Sequence, residues 1–403
     1  MYFQILLAIV LGVFAGIFTG LIPGVHINLI SLLLVSLSGY FLGFTHPLML
    51  GVFIIAMAVT HTFLDIIPSV FLGAPDADTA LAVLPGHRLL LKGMGYEAVK
   101  LATIGSLLCL CSTIIIIPFL IPVVPFIYSF IQPFIGWILI LVVVFMALKE
   151  KGLDKKFWVM VVFFLSGTLG LIVLEMSNLE QPLFPMLSGL FGISILIVSL
   201  FQKVEIPKQR ITEMIKIKGK DILKVVGAGT FSGSLTALFP GLGAAQAAII
   251  GSQLMRKIEE YSFIVLVGGI NTVNFVFSLV TLFVLAKARN GAVLAVLEIL
   301  KVIDLSGLIV FLCAALIAGG IATFLALWIT RIFAKWITKV NYQILCICVI
   351  LLIVGLVFYF SSWLGLLVLF VSTAIGMIPS FTGVKKSFAM GCLLLPVILY
   401  FIL

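Results

Sequence analysis

Stretch after stretch of about twenty residues runs through this sequence with scarcely a charge, and that feature decides most of what the chain can fold into. An apolar run of that length crosses the hydrocarbon of a bilayer as a helix, because a helix satisfies its backbone amides within its own segment. Spans are expected at roughly 48–72, 98–121, 123–148, 157–175, 183–201, 261–286, 306–330, 342–360, 362–379 and 386–402. Composition closes the alternatives. With 63% of residues hydrophobic and 10% charged, there are too few polar side chains to cover a soluble body of 403 residues. The wealth of Leu, Ile, Val and Phe excludes disorder, and uninterrupted apolar runs exclude the alternation of a transmembrane β-barrel. The expected fold is all-α, a polytopic membrane protein.

Two further apolar stretches, about 4–43 and 225–255, are broken by Pro23-Gly24 and Pro240-Gly241 and read as re-entrant helical hairpins that enter the membrane and return. Their sequences correspond: GIFTGLIPGVHINLI (16–30) aligns with GSLTALFPGLGAAQA (233–247), Pro-Gly standing at the same distance from the leading Gly. Between them, residues 203–224 carry seven Lys or Arg and three acids, the pattern of a basic cytoplasmic linker. The chain divides into a first membrane repeat, 1–202, and a second, 225–403, each a broken hairpin followed by about five spans. An odd number of spans turns the second repeat upside down, which makes the two inverted-topology repeats.

The basic residues test this arrangement. With the linker inside, 21 of the 24 Lys and Arg fall on inside segments and only Lys287, Arg289 and Lys301 fall outside. The net charge of +9 is thus assigned to cytoplasmic loops and anionic lipid headgroups, with no nucleic-acid partner. The N-terminal MYFQILLAIVLGVFAG has no basic n-region and reads as a first membrane segment. A multi-pass protein of the cytoplasmic membrane with both termini outside is expected. Cys109, Cys111, Cys313, Cys346, Cys348 and Cys392 all lie in apolar stretches without a CxxC pair and read as small buried hydrophobes. No metal site or resident cofactor is expected.

Unpaired backbone is tolerated in a membrane only where protein or a water-filled cavity satisfies it, so paired breaks in two halves point to a binding site. In the first break, Gly20, Pro23 and Gly24 allow the turn, and His26 and Asn28 follow at the start of a returning helix whose free amides favour an anion. The second break offers Pro240, Gly241 and Gly243, with Gln246 as its polar group. The alternative for either is a Pro kink with glycines for helix packing. Asp65 lies inside an apolar run after His61 and Thr62 and is the best candidate ligand for a proton or sodium. Asp76 and Asp78 share that role as candidates, or cap the helix that begins near Thr79. In the second half Asn271 and Asn274 stand where the first has Thr62 and Asp65, and their amides could hold a carboxylate or bridge helices. Lys287 and Arg289 either attract an anion from outside or snorkel to headgroups, and His87, Arg88 and Lys92 are expected at headgroups.

With these residues in view, the sequence resembles the large membrane subunit of tripartite tricarboxylate transporters, the TctA family, in a short archaeal-like form. The resemblance rests on GIFTGLIPGVHINLISLLL (16–34), FLGAPDADTALAVLPGHRLLLKGMGYEAVKLATIGS (71–106), FPGLGAAQAAIIG (239–251) with the Asn271 and Asn274 segment, and IPSFTGVKKSFAMGCLLLP (378–396). It implies a secondary transporter for small organic anions that works with a small membrane subunit and an extracytoplasmic binding protein. Carried across, the family's site falls on Pro23, Gly24, Gly73, Pro75, Pro240, Gly241 and Asn271. The GAPDAD stretch and the shorter chain depart from the bacterial members.

Two functions compete. One is a permease that moves a di- or tricarboxylate by alternating access, coupled to H+ or Na+ through Asp65. The other is a translocase for a polyprenyl-phosphate lipid carrier, gripping the phosphate with the same helix tips. An intramembrane enzyme using His26 or Asp65 ranks below both, since there is no HExxH pair and no nucleophile beside a positioned base. A homodimer stays open.

Overall fold

Lipid outside leaves the backbone no partner but itself, and the chain answers with helices alone; no strand occurs among the described residues. A computed structural model describes residues 2–22, 27–73, 81, 83–179, 181–201, 207–211, 218–238, 243–255, 258–287, 290–337 and 342–403. The first half contains α1 (Tyr2–Leu21), α2 (Ile27–Ser36), the single turn α3 (Ser38–Phe41), α4 (Pro47–Leu64), α5 (Ile66–Phe71), α6 (Val83–Leu91), α7 (Gly95–Leu120), α8 (Val124–Ile131), α9 (Ile135–Leu148), α10 (Leu153–Glu175), α11 (Leu183–Leu187) and α12 (Ser194–Phe201). The second contains α13 (Gly219–Leu238), α14 (Ala244–Leu254), α15 (Glu260–Leu285), α16 (Gly291–Leu300), α17 (Leu305–Ile337), α18 (Tyr342–Thr382) and α19 (Gly391–Ile402).

Among the described residues, eight helical segments are long and apolar enough to cross a membrane. Two other expected spans, 183–201 and 386–402, contain the shorter apolar helices Leu183–Val198 and Lys386–Ile402. The expected pair 342–360 and 362–379 is joined in α18, but not as a straight rod. Ser362 sits at φ 54° and ψ −156°, outside helical geometry. A Cβ placed at Gly365 would lie 3.1 Å from Val357 Cγ1, whereas eight residues of straight helix would separate the two by about 12 Å. The chain folds back at Ser362 into two limbs.

The two most buried spans organise the rest. In their most apolar windows 94% of Pro47–Phe71 and 89% of Glu260–Leu285 is buried, against at most 39% for the other six. α1 packs on α4 and α13 packs on α15; α17 from the second half also packs on α4, and α7 from the first half on α15. Small residues permit these close approaches. A Cβ at Gly12 would fall 2.5 Å from Phe53 O, and one at Gly16 2.6 Å from Met57 O, so α1 meets the backbone of α4 directly. At the α7–α15 crossing Gly105 faces Val265 O and Gly268 faces Ala102 O, and the Ser106 hydroxyl donates to Gly268 O at 2.9 Å. Farther out, α10 packs on α19, and α18 packs on α11 and α12. The outer faces carry exposed Phe119, Phe126, Phe130, Trp137, Phe324, Trp328 and Trp336, as a lipid-facing surface requires.

Besides α6, one helix has no counterpart among the expected spans. α16 is only 10 residues long, yet Ala292, Val293 and Val296 are fully buried against α2 and α4. Asn290 starts it, its side-chain oxygen accepting from the Val293 amide at 2.8 Å. Gly291–Leu300 is therefore a packed helix.

Candidate functional site

The span Pro47–Phe71 is interrupted where its sequence requires it. Pro68 has no N–H to give Leu64 O, so the α-helical ladder lapses there and Asp65 forms a turn between α4 and α5. The Asp65 amide still reaches back to His61 O at 3.0 Å, and its own carbonyl accepts from the Ser69 hydroxyl at 2.9 Å. The carboxylate is thereby held at a fixed position inside the protein, with Asp65 only 3% exposed.

What meets it comes from the other half. Asn271, on α15 and 2% exposed, donates through Nδ2 to Asp65 Oδ2 at 2.7 Å and lies 3.4 Å from Thr62 O. Beside this contact the hydroxyls of Thr62 and Thr272 are 3.3 Å apart. The two most buried helices are thus joined by polar contacts from Thr62 and Asp65 on one side and Asn271 and Thr272 on the other. An amide donor stabilises a carboxylate without neutralising its charge. Thr272 escaped the sequence analysis, although the adjacent polar pair Asn271-Thr272 inside an apolar run was the available signal.

Asn274 does different work. Its Oδ1 accepts from the Thr236 hydroxyl of α13 at 2.9 Å, a contact within the second half. The glycine contacts also correct the expected correspondence of the halves. Gly16 abuts Met57 and Thr60, Gly20 abuts His61 and Leu64, and Gly233 abuts Ile270 and Val273. Since Gly16 aligns with Gly233, Asn274 takes the place of His61 and not that of Asp65.

Of the two expected breaks, only one flank each is described. α1 ends at Leu21 before a bend at Ile22, and α14 begins at Ala244 after an extended Gly243; residues 23–26 and 239–242 lie outside the described residues. Pro23, Gly24, His26, Pro75, Asp76, Asp78, Pro240, Gly241 and Arg289 lie outside the described residues, as do the side chains of Asn28 and Gln246. Gly20 is a packing glycine inside α1, its missing Cβ leaving room for Leu64 at 2.8 Å, and not part of a turn. Gly73 is buried at φ +64°, the left-handed region where glycine is unstrained, and a Cβ there would lie 3.1 Å from Leu196 Cδ2. His87 is also corrected: it is buried, with Nδ1 3.3 Å from Val70 O, and does not reach headgroups. Lys287 sits on Tyr128, with Nζ 3.2 Å from the hydroxyl and 4.6 Å from the ring centre.

The sequence profile of the tripartite tricarboxylate transporter TctA family matches residues 6–391. The uncharacterized protein MJ1079 of Methanocaldococcus jannaschii is 32% identical over 392 residues, 94% of each chain. No solved structure matches.

Proposed function

This chain belongs to the tripartite tricarboxylate transporter TctA family, and from that membership and the Asp65–Asn271 contact we propose that it is the permease of a secondary transport system for a small di- or tricarboxylate. The membership makes it a component of a transporter; in this reading it works in the cytoplasmic membrane and moves its solute unchanged. Its partners are a small membrane subunit and an extracytoplasmic binding protein that delivers the anion, as the tripartite family name implies. H+ or Na+ is the coupling ion, and Asp65 binds it.

One observation carries the reading: a buried carboxylate placed between the central helices of the two halves. An Asp at the centre of a membrane helix costs about 2.5–3.5 kcal/mol on insertion scales, and such residues persist where they bind or relay ions. Loss of its charge to a proton or sodium changes how strongly Asp65 holds the Asn271 amide. The strength of the link between halves then depends on ion occupancy, which is what a coupled alternating-access cycle needs. The correspondence of residues 16–30 with 233–247 and the crossed packing of α1 and α17 on α4, and α13 and α7 on α15, support two inverted repeats around this contact.

The test is citrate and succinate uptake into proteoliposomes under an imposed pH or sodium gradient. Asp65→Asn is expected to lower gradient-driven uptake at least ten-fold while the variant purifies with an unchanged oligomeric profile. Equal gradient-driven uptake by wild type and variant refutes the coupling role.

A further inference from the structure

A cavity of about 1100 Å³ opens between α6, α9, α14 and the end of α18, away from the Asp65–Asn271 contact. It lies on the linker face: Lys92 on its wall follows α6, and residues 207–210 dock on the same turn through Arg210 N to Gly93 O at 2.9 Å and Gln209 Nε2 to Leu90 O at 3.0 Å. Five of its wall residues are cationic, Arg88, Lys92, Lys149, Lys385 and Lys386, and one, Glu260, is acidic.

The charges do not cancel. Lys92 pairs with Glu260 at 3.5 Å and Lys385 with Glu150 at 2.5 Å. Lys149 reaches the neutral Gln253 Oε1 at 3.3 Å, and Lys386 the neutral Ser194 hydroxyl at 2.7 Å. Among the described residues no carboxylate pairs with Arg88, Lys149 or Lys386. Lys386 is the telling one. It is 7% exposed, and a lysine buried so far without a negative partner carries its charge only at a cost, which an anion bound beside it would offset. The space far exceeds a single carboxylate, so a hydrated anion can enter between wall residues of α6, α9 and the segment before α19.

We propose that this cavity is a binding site for a small organic anion of two or three negative charges, held by Arg88, Lys149 and Lys386. It rests on the transporter reading above for its role, which would be to receive or release the transported carboxylate at the linker face. Three unmatched cations favour valence, so affinity should fall from citrate to succinate to acetate and weaken with added salt.

Isothermal titration of the full chain in phosphatidylcholine nanodiscs with those three anions tests it. Arg88→Gln and Lys149→Gln, both at exposed positions, should each weaken citrate binding at least three-fold, and Lys386→Met at least ten-fold, with Lys301→Gln unchanged. If Lys386→Met fails to fold, the first two variants decide. No citrate or succinate binding by the wild type, or unchanged binding in both glutamine variants, overturns the proposal. Loss of citrate binding on adding phosphatidylglycerol assigns the cavity to lipid headgroups and overturns it as well. Binding that depends on these residues in a protein with no gradient-driven uptake sustains the site and removes the transport reading. Uptake together with unaltered binding in the variants does the reverse.

Discussion

At Asp65 the proposed coupling comes down to one hydrogen bond between side chains from opposite halves, and its worth can be bracketed. Hydrogen bonds to charged groups contribute about 1.5–3 kcal/mol in soluble proteins. Interhelical bonds in membranes average about 0.6 kcal/mol, because the separated helices find other partners. A buried carboxylate acceptor belongs toward the upper figure, so Asn271→Ala should cost about 1–2 kcal/mol in denaturant titrations. Asn271→Asp should cost more, since two carboxylates that close cannot both ionise. The exchanged pair, Asp65→Asn with Asn271→Asp, restores one acid and one amide at the original 2.7 Å and should recover stability and part of the gradient-driven uptake lost in Asp65→Asn alone. An exchanged pair no better than Asn271→Asp by itself would show that the contact does not organise the core. Asp65 was legible in the sequence, because a carboxylate in an apolar run stands out whatever the fold. Its partner was not. Asn271 and Asn274 are one helical turn apart and similarly polar, and only the crossing of α4 with α15 decides which faces the acid.

Among elements, glycines decide which helices touch. α1 presents Gly12, Gly16 and Gly20 at four-residue intervals, and each would drive a Cβ into α4 at 2.5 to 2.8 Å. Gly16→Val should therefore destabilise by about 1–3 kcal/mol through overpacking, read as a lowered melting temperature in detergent. Gly227→Ala and Gly320→Ala, in α13 and α17 with open space around them, should be neutral or gain up to about 1 kcal/mol from reduced backbone freedom. Equal effects at both kinds of site would deny that close approach sets the packing. Length and hydropathy made the long spans legible, and the turn at Ser362 falls between two of them. They did not reveal α16, since 10 residues cannot cross a bilayer and its burial depends on α2 and α4, brought there by the fold. Nor did spacing show that α7 would pack on α15 and α17 on α4, because lipid gives apolar faces no preference between partners.

For the molecule as a whole, inversion of the second half turns on parity, and, with 4–43 taken as a hairpin that enters and returns, parity turns on one short helix. The chain leaves α10 at Glu175, passes exposed Ser177, and continues through α11 and α12 to Phe201 before the linker. Its apolar part, Leu183–Val198, amounts to about 24 Å of helix, somewhat short of the about 30 Å of hydrocarbon. If it crosses, Ser177 and the linker lie on opposite sides, and the first half contributes an odd number of crossings. If it only dips in, the count is even and the two halves run parallel. The charges favour a crossing: residues 203–224 hold seven Lys or Arg, whereas Glu175 to Gln181 hold two acids and no base. Single cysteines at Ser177 and at Lys218, both exposed, in a background with the six native cysteines replaced, should react with an impermeant maleimide from opposite faces of sealed vesicles. Reaction from the same face would leave Asp65 and Asn271 in contact but remove the inverted symmetry from which alternating access is argued.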